Sequence, residues 1–524
     1  MVCGWCIATV LLSILIYWLI KINENYNILA FFARRVHTKD GRPVESIAPT
    51  PKGKTIFANC FDLYGKDAAG VFQHSRHLAK EMGTNYLSYS LGTAMYMIIE
   101  PEIVEFVLTN PQLITKGMVY NFMKSALRTG LLTSTGKKWH TRRKMITHTF
   151  HFNILEQFEE IFKAESQKFV DKFKDQSESV ISLTDLIPRF TLNSICETAM
   201  GVNLDEMTEE GDRYRESFKL VEQCFVKRIK NPLQYSDTMY KLFGAKYDAH
   251  FLKVVHDFSS NIIAKRRILL EKELQERRDD QLPDDDIHYL APSYINKKRR
   301  FAMLDTLICA EKDGLIDHEG ICEEVDTLMF AGYDTTSMGL TFNLMNLSLH
   351  EDMQEMCYQE ISENIDDDLS KLDINQLSKL KYMDRFIKET IRMYPSAPVM
   401  GRQTTSETEL PNGLILPPGT QCVIHVYDLH RNPKYWNAPE QFDPDRFLPE
   451  NSMDRHNFAY VPFSAGQRNC MGQKYAMLEI KTLLIYILKQ FKILPITKAE
   501  DLILHSGITL CVKNDVKVKF VVRK

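Results

Sequence analysis

Apolar and polar positions along the chain fall into three kinds of segment. The first is a run without charge, Val2 to Ile20, which at about 1.5 Å per residue nearly crosses a bilayer core of about 30 Å. Tyr17 and Trp18 sit near its far edge, and Lys21, Arg34, Arg35, Lys39 and Arg42 follow it. No Lys or Arg precedes it, unlike the start of a cleaved signal peptide. Residues 1–22 therefore predict an uncleaved membrane anchor, with the bulk of the chain on the cytosolic side. Cys3 and Cys6 lie inside this run and read as small packing residues, because a redox or metal pair needs a polar setting. Pro43, Pro49 and Pro51 then punctuate residues 23–54, which predict a polar linker.

The second kind repeats apolar residues every three or four positions. Phe150 to Lys174, Asp248 to Arg277, His318 to Asn364, Leu377 to Met393 and Met471 to Phe491 follow this pattern and predict helices. The third kind is short and β-like. It covers Asn85 to Glu100 and Gly507 to Val522, the latter alternating as Val516, Val518 and Phe520. Residues 55–524 thus predict a single large domain, mainly α with small β-sheets. An acidic stretch, Asp279 to Asp286, and a basic one, Lys297 to Arg300, predict a solvated connection between helices. No repeat or low-complexity block interrupts the pattern.

Composition narrows the class. The 524 residues are 44% apolar and 25% charged, which suits a large packed core. Lys plus Arg number 65 against 68 Asp plus Glu, a formal charge of −3 that gives no general attraction to nucleic acid. The eleven Cys are odd in number and scattered, so they form no disulfide framework and predict a reduced, cytosolic domain.

Chemistry concentrates late in the chain. In Phe463-Ser-Ala-Gly-Gln-Arg-Asn-Cys-Met-Gly472 a Cys sits among glycines just ahead of a predicted helix. The positive end of a helix dipole and unpaired N–H groups there favour a thiolate able to bind a metal. Gly466 permits a backbone turn forbidden to other residues, and Gly472 allows close approach to a flat ligand. Phe463 is placed to shield the sulfur and Arg468 to meet an anion, although a single Cys is more commonly a buried packing residue.

Phe463, Gly466, Arg468, Cys470 and Gly472 together make the pattern FxxGxRxCxG, which resembles the haem-binding loop of the cytochrome P450 family. The resemblance implies that Cys470 is the axial thiolate on iron of a haem b. Three further segments match in order. Glu389-Thr-Ile-Arg392, with Pro444-Asp-Arg446-Phe447 downstream, implies a buried network of Glu389, Arg392 and Arg446. Ala331-Gly-Tyr-Asp-Thr-Thr336 resembles the oxygen-binding helix, where Thr335 would hydrogen-bond the bound oxygen and Asp334 help to deliver protons. Its mid-helix Gly332, costly by about 1 kcal/mol, suggests either a local widening or simple close packing. Trp139-His-Thr-Arg-Arg143 puts Trp139 and Arg143 on one face, and with Arg402 and Arg468 these would hold the haem propionates.

Within that family the chain is most similar to insect microsomal members of family 4. Many of those carry a Glu before the mid-helix Gly that forms an ester to a haem methyl. Ala331 stands there instead, which implies haem held without that bond. The resemblance further implies a P450 fold, an endoplasmic reticulum location, and a monooxygenase acting on fatty acids, hormones, terpenoids or xenobiotics such as insecticides. Val119, Met329, Ala331, Val399, Met400 and Ile508 are the expected pocket walls. No GxGxxG follows a strand and no P-loop is present, so the chain is expected to lack its own flavin or NADPH site. Electrons would come from NADPH–cytochrome reductase, with cytochrome b5 as a second donor, docking near Lys137, Lys138, Arg142 and Lys144. Two other readings share Cys470: a haem-thiolate isomerase or dehydratase that rearranges peroxides without NADPH, and a non-catalytic haem sensor.

Overall fold

The computed structural model describes residues 9–15, 17, 36–51, 59, 61–90, 93–150, 152–279 and 302–523. Of the charge-free N-terminal run, residues 9–15 and 17 are exposed helix. The rest of that run, with Cys3 and Cys6, lies outside the described residues, as does the connection from residue 280 to 301. Among the described residues no helix is long and apolar enough to cross a membrane.

The longer helices are α1 (Ala68–Met82), α2 (Pro101–Thr109), α3 (Gly136–Thr147), α4 (Phe152–Asp171), α5 (Leu183–Thr198), α6 (Thr208–Lys230), α7 (Ala249–Asp279), α8 (His318–Leu349), α9 (Glu351–Asn364), α10 (Lys381–Met393) and α11 (Gln473–Gln490). The strands are β1 (His37–Thr38), β2 (Tyr86–Ser90), β3 (Thr93–Ile98), β4 (Glu178–Ser182), β5 (Val399–Gln403), β6 (Thr408–Glu409), β7 (Leu414–Leu416), β8 (Gln421–His425), β9 (Phe491–Pro495), β10 (Leu504–Ser506), β11 (Leu510–Val512) and β12 (Lys517–Val522). They form four small sheets, ordered β2-β3-β8-β5, β1-β7-β6, β4-β12-β9 and β10-β11. Only β3 and β8 pair in parallel; the other ladders are antiparallel.

One apolar core surrounds α8, and a second lies between α2 and the four-stranded sheet. Helix α8 is buried along nearly all of its length, and Asp317 caps its start by accepting from the Gly320 N–H at 2.8 Å. Gly332 lets α5 come close: a Cβ there would stand 2.5 Å from the Ile195 side chain. This contact supports the close-packing reading of Gly332, and the helix runs unbroken through it. The Thr335 hydroxyl donates to the Ala331 carbonyl at 2.7 Å, and Thr336 bonds the Gly332 carbonyl in the same way.

Two further expectations are corrected. The predicted helix from His318 to Asn364 breaks at His350, where the Gln354 amide donates to the carbonyls of Leu347 and Ile493, both at 2.8 Å, and ties the new helix to β9. Residues 36–51, read as linker, are folded onto the domain. His37 and Thr38 pair with Ile415 and Leu414, the Leu87 N–H donates to the Pro49 carbonyl at 2.9 Å, and Ala48 is buried. The prolines obscure this because the pairing strand is two residues long and its partner is far away in sequence.

Candidate active site

A cavity of about 540 Å³ lies between α8, the loop before α11, β5 and the β10–β11 turn. Its walls are mostly apolar. Gly466 shapes the loop at φ +66°, and the Cys470 N–H donates to the Phe463 carbonyl at 2.9 Å, which folds the segment so that the Cys470 thiol opens onto the cavity. Burial pushes that thiol up, while the Gly472 N–H and the Arg143 guanidinium pull it down. Helix α11 begins at Gln473, three residues beyond Cys470, and a metal cation bound at Sγ would displace the thiol proton.

Lys116 and Arg468 line one end of the cavity, and Arg402 lies buried beside them without lining it. Arg402 of β5 is 1% exposed, donates to the Gly401 carbonyl at 3.0 Å, and leaves Nη2 without a partner. Arg468 is buried over the Trp139 ring, 4.1 Å from its centroid, and donates to the carbonyls of Ile114, Leu131 and Ser134 at 3.1, 3.2 and 2.5 Å. Lys116 joins them because its backbone bridges to Arg402. Burial, reinforced by mutual repulsion, holds Arg468 down to about 9 and Lys116 well below its ordinary value. None of these three makes an ion pair among the described residues. Buried cations without counter-charge are costly, so this end of the cavity is built for an anionic ligand carrying carboxylates. A haem with its propionates fits: cation donors at one end, a thiol at the wall, and an apolar slot between.

Sequence reasoning missed Lys116. Its only local signal is a lone cation in the apolar run Leu113-Ile-Thr-Lys-Gly-Met118; the bridge to Arg402 that places it is a long-range pairing. Arg143, expected at a propionate, lines the cavity and donates to the Asn469 carbonyl at 2.9 Å and to Asn469 Oδ1 at 2.6 Å, bracing the loop beside Cys470. Trp139, Phe463, Arg468, Cys470 and Gly472 line the cavity, as do Val119, Ala331, Val399, Met400 and Ile508. Gly466 lies off the wall and acts through the turn.

Met329 is corrected: it is fully buried in the core and does not line the cavity, whereas its neighbours Leu328 and Phe330 do, with Thr327, Ala331, Gly332, Thr335, Thr336 and Gly339 of the same helix. Arg142 is also corrected as a docking residue, being buried 3.8 and 3.7 Å from Glu323 and Glu324 of α8. Lys138 pairs with Glu323 at 2.6 Å while staying exposed, and Lys137 and Lys144 are exposed cations of the same helix that make no ion pair among the described residues.

Thr335 lines the cavity, and Asp334 turns away from it. Asp334 Oδ2 accepts from the Thr509 hydroxyl at 2.6 Å, and burial pushes the carboxyl up to about 6 against the pull of that bond and of Lys219. Behind the α11 wall, Glu479 is fully buried beside the Thr336 and Ser194 hydroxyls, and burial pushes it up to about 8. A raised carboxyl contributes stability that is present below its ordinary value of 4.5 and is lost as pH rises toward about 8. Glu479→Gln should therefore raise the thermal midpoint by about 3 °C near pH 8 and leave it unchanged near pH 4, as calorimetry at the two pH values would show.

Glu389, Arg392 and Arg446 meet beneath the sheet. Arg392 donates from Nε and Nη2 to the two carboxylate oxygens of Glu389 at 2.7 and 2.8 Å, and Arg446 Nε approaches Oε1 at 3.3 Å.

The comparisons with known proteins agree in kind. The family model described as Cytochrome P450 matches residues 48–520. The chain is 62% identical over 512 residues to cytochrome P450 4p1 of Drosophila melanogaster, covering 98% of each. It is 46% identical over 513 residues to probable cytochrome P450 4ac1 of the same organism, covering 97% of each. To cytochrome P450 4V2 of Pongo abelii it is 38% identical over 437 residues, which span 81% of this chain and 80% of that protein.

Proposed function

The chain belongs to the cytochrome P450 family and is a haem-thiolate monooxygenase; from that premise we propose that it oxidises apolar organic molecules with electrons drawn from NADPH through a separate membrane-bound reductase. The observation that carries this reading is the shared cavity, which puts the Cys470 thiol, the cations Lys116 and Arg468 and the Thr335 hydroxyl around one apolar space, with Arg402 buried beside the cations and its Nη2 without a partner. Cys470 would be the ligand to iron, and Lys116, Arg402 and Arg468 would take the propionates, with Trp139 packed against Arg468. Bound haem supplies the activation of O₂.

The chain's own residues supply the rest. Ala331 presents a methyl where a carboxyl would be needed for an ester link, so haem is held without one. Ile508, Val399 and Met400 exclude water and contact the substrate. Thr335 holds a hydroxyl at the wall, next in the chain to the buried acid Asp334, and the pair provides protons where oxygen is reduced. Fatty acids, hormones, terpenoids and insecticide-like molecules all suit such walls.

The charge-free N-terminal run supports an anchor in the endoplasmic reticulum membrane, with the domain facing the cytosol. The exposed Leu233, Leu242, Phe243 and Tyr247 around the short helix Asp237–Phe243 add an apolar surface that suits lipid. Lys137 and Lys144 are the cations left free to meet an electron donor, reductase or cytochrome b5.

Reconstitution with reductase and a panel of these substrates tests the reading: product should require NADPH and O₂. Thr335→Ala should cut product formed per NADPH consumed about tenfold, with peroxide making up the difference. Product from a peroxide substrate without NADPH would favour an isomerase, and normal coupling in the variant would remove Thr335 from the proton path.

A further inference from the structure

A second carboxyl lies beyond Asp334. Glu222 of α6 is 8% exposed, and its Oε1 accepts from the Ile508 N–H at 3.3 Å. The same turn, Gly507 to Thr509, sends the Thr509 hydroxyl the other way, to Asp334 Oδ2 at 2.6 Å. Gly507 leaves room for this: a Cβ there would stand 3.0 Å from Glu222 Oε1. One turn of chain thus grips two buried acids from two helices, and its Ile508 forms part of the cavity wall. Lys219, one helical turn before Glu222, is exposed.

We propose that Glu222 is a positioning residue on the solvent side of Asp334, and that the two carboxyls, joined by the Gly507 to Thr509 turn, carry protons from the surface beside Lys219 to Thr335 at the cavity wall. Each proton that Asp334 gives up toward Thr335 is replaced through the Thr509 hydroxyl, which releases its proton to Asp334 Oδ2 and takes one from Glu222; Glu222 takes one from water, so the pair returns to its starting charge. Buried like charges cannot both ionise at neutral pH. Burial first, and the Asp334 charge second, push Glu222 well above the ordinary carboxylate range. The other titratable groups facing the pair are Tyr214 and Lys219 from α6, Tyr333 from α8 and Cys511 from β11. Lys219 is the one cation among them, and it marks the solvent end. Neither the cavity wall nor the packing of α6 needs an acid at position 222, where neighbouring Val221, Phe225 and Val226 are apolar.

The relay presupposes the haem-thiolate reading, so the full-length holoenzyme is first checked for the carbon monoxide spectrum of a thiolate-bound haem; its absence in the wild type would overturn that reading separately. Infrared difference spectra of the wild type, Glu222→Gln and Asp334→Asn over a pH series then report the protonated carboxyl directly. The expected result is that the uppermost carboxyl titration of the wild type is absent from Glu222→Gln and moves to lower pH in Asp334→Asn, which removes the like charge and leaves Glu222 buried. With NADPH, O₂ and purified reductase and no added organic substrate, Glu222→Gln should lower the ratio of water to hydrogen peroxide formed about tenfold, most strongly above neutral pH. An unchanged carboxyl titration in Glu222→Gln, or an unchanged product ratio at every pH, would overturn the relay. Should Glu222→Gln fail to accumulate, an upper titration step that does not move in Asp334→Asn would overturn it equally.

Discussion

Replacing Glu389 with alanine is expected to abolish accumulation of folded, haem-loaded protein. The side chain is wholly buried, and its carboxylate receives four donors: two from Arg392 at 2.7 and 2.8 Å, the Asp443 N–H at 2.9 Å and Arg446 at 3.3 Å. The two guanidinium groups are also committed to carbonyls. Arg392 reaches His430 at 2.8 Å and Gln441 at 3.3 Å, and Arg446 reaches Asn437, and Ala438 at 2.8 Å. They cannot turn out to water without dismantling the segment from residue 430 to 446. Among the described residues Glu389 is the only carboxylate that binds both, so removing it strands two buried cations, a loss of about 3–5 kcal/mol or more, set against a typical whole-protein stability of about 5–15 kcal/mol. Haem content and far-ultraviolet circular dichroism of the purified variant check this, and a normal value of both would contradict it.

The second large effect is expected at Gly466. Its φ of +66° is costly for any residue with a Cβ, by about 1–3 kcal/mol. Space is the harder limit: a Cβ would stand 2.0 Å from the Leu108 carbonyl oxygen, 3.0 Å from its carbon and 3.3 Å from the Thr109 Cα. All three are backbone atoms at the end of α2, so no side chain can rotate away. Either the helix end or the loop must move, and the loop carries Cys470 four residues on. Gly466→Ala should lose about 3 kcal/mol or more of stability and release haem on gel filtration. Denaturant unfolding within about 0.5 kcal/mol of the wild type would contradict the geometry.

What the sequence made legible was whatever depends on local spacing. The helices around residues 152–171, 381–393 and 473–490 follow from three- and four-residue periodicity, and Cys470 stands out because glycines and an Arg surround it at fixed intervals. What it hid depends on contacts between distant segments. Lys116 reads as an unremarkable cation until its bridge to Arg402 puts it in the carboxylate pocket. Asp334 and Thr335 are adjacent, so a motif treats them as one unit, yet a helix rotates neighbours by about 100° and sends one to the cavity and the other to Thr509. Arg142 and Lys138 look like free surface cations because Glu323 and Glu324, which hold them, lie far along the chain. Met329 misleads for the reason Asp334 does: a run of apolar residues does not reveal which of them faces an empty space.

The central claim is a bond between one sulfur and iron. The most direct measurement is the carbon monoxide difference spectrum of the reduced full-length protein beside that of Cys470→Ser, with far-ultraviolet circular dichroism to show that both are folded. The account predicts the long-wavelength band of a thiolate-bound haem in the wild type and its disappearance in the serine variant. A folded serine variant that keeps the same band would contradict it.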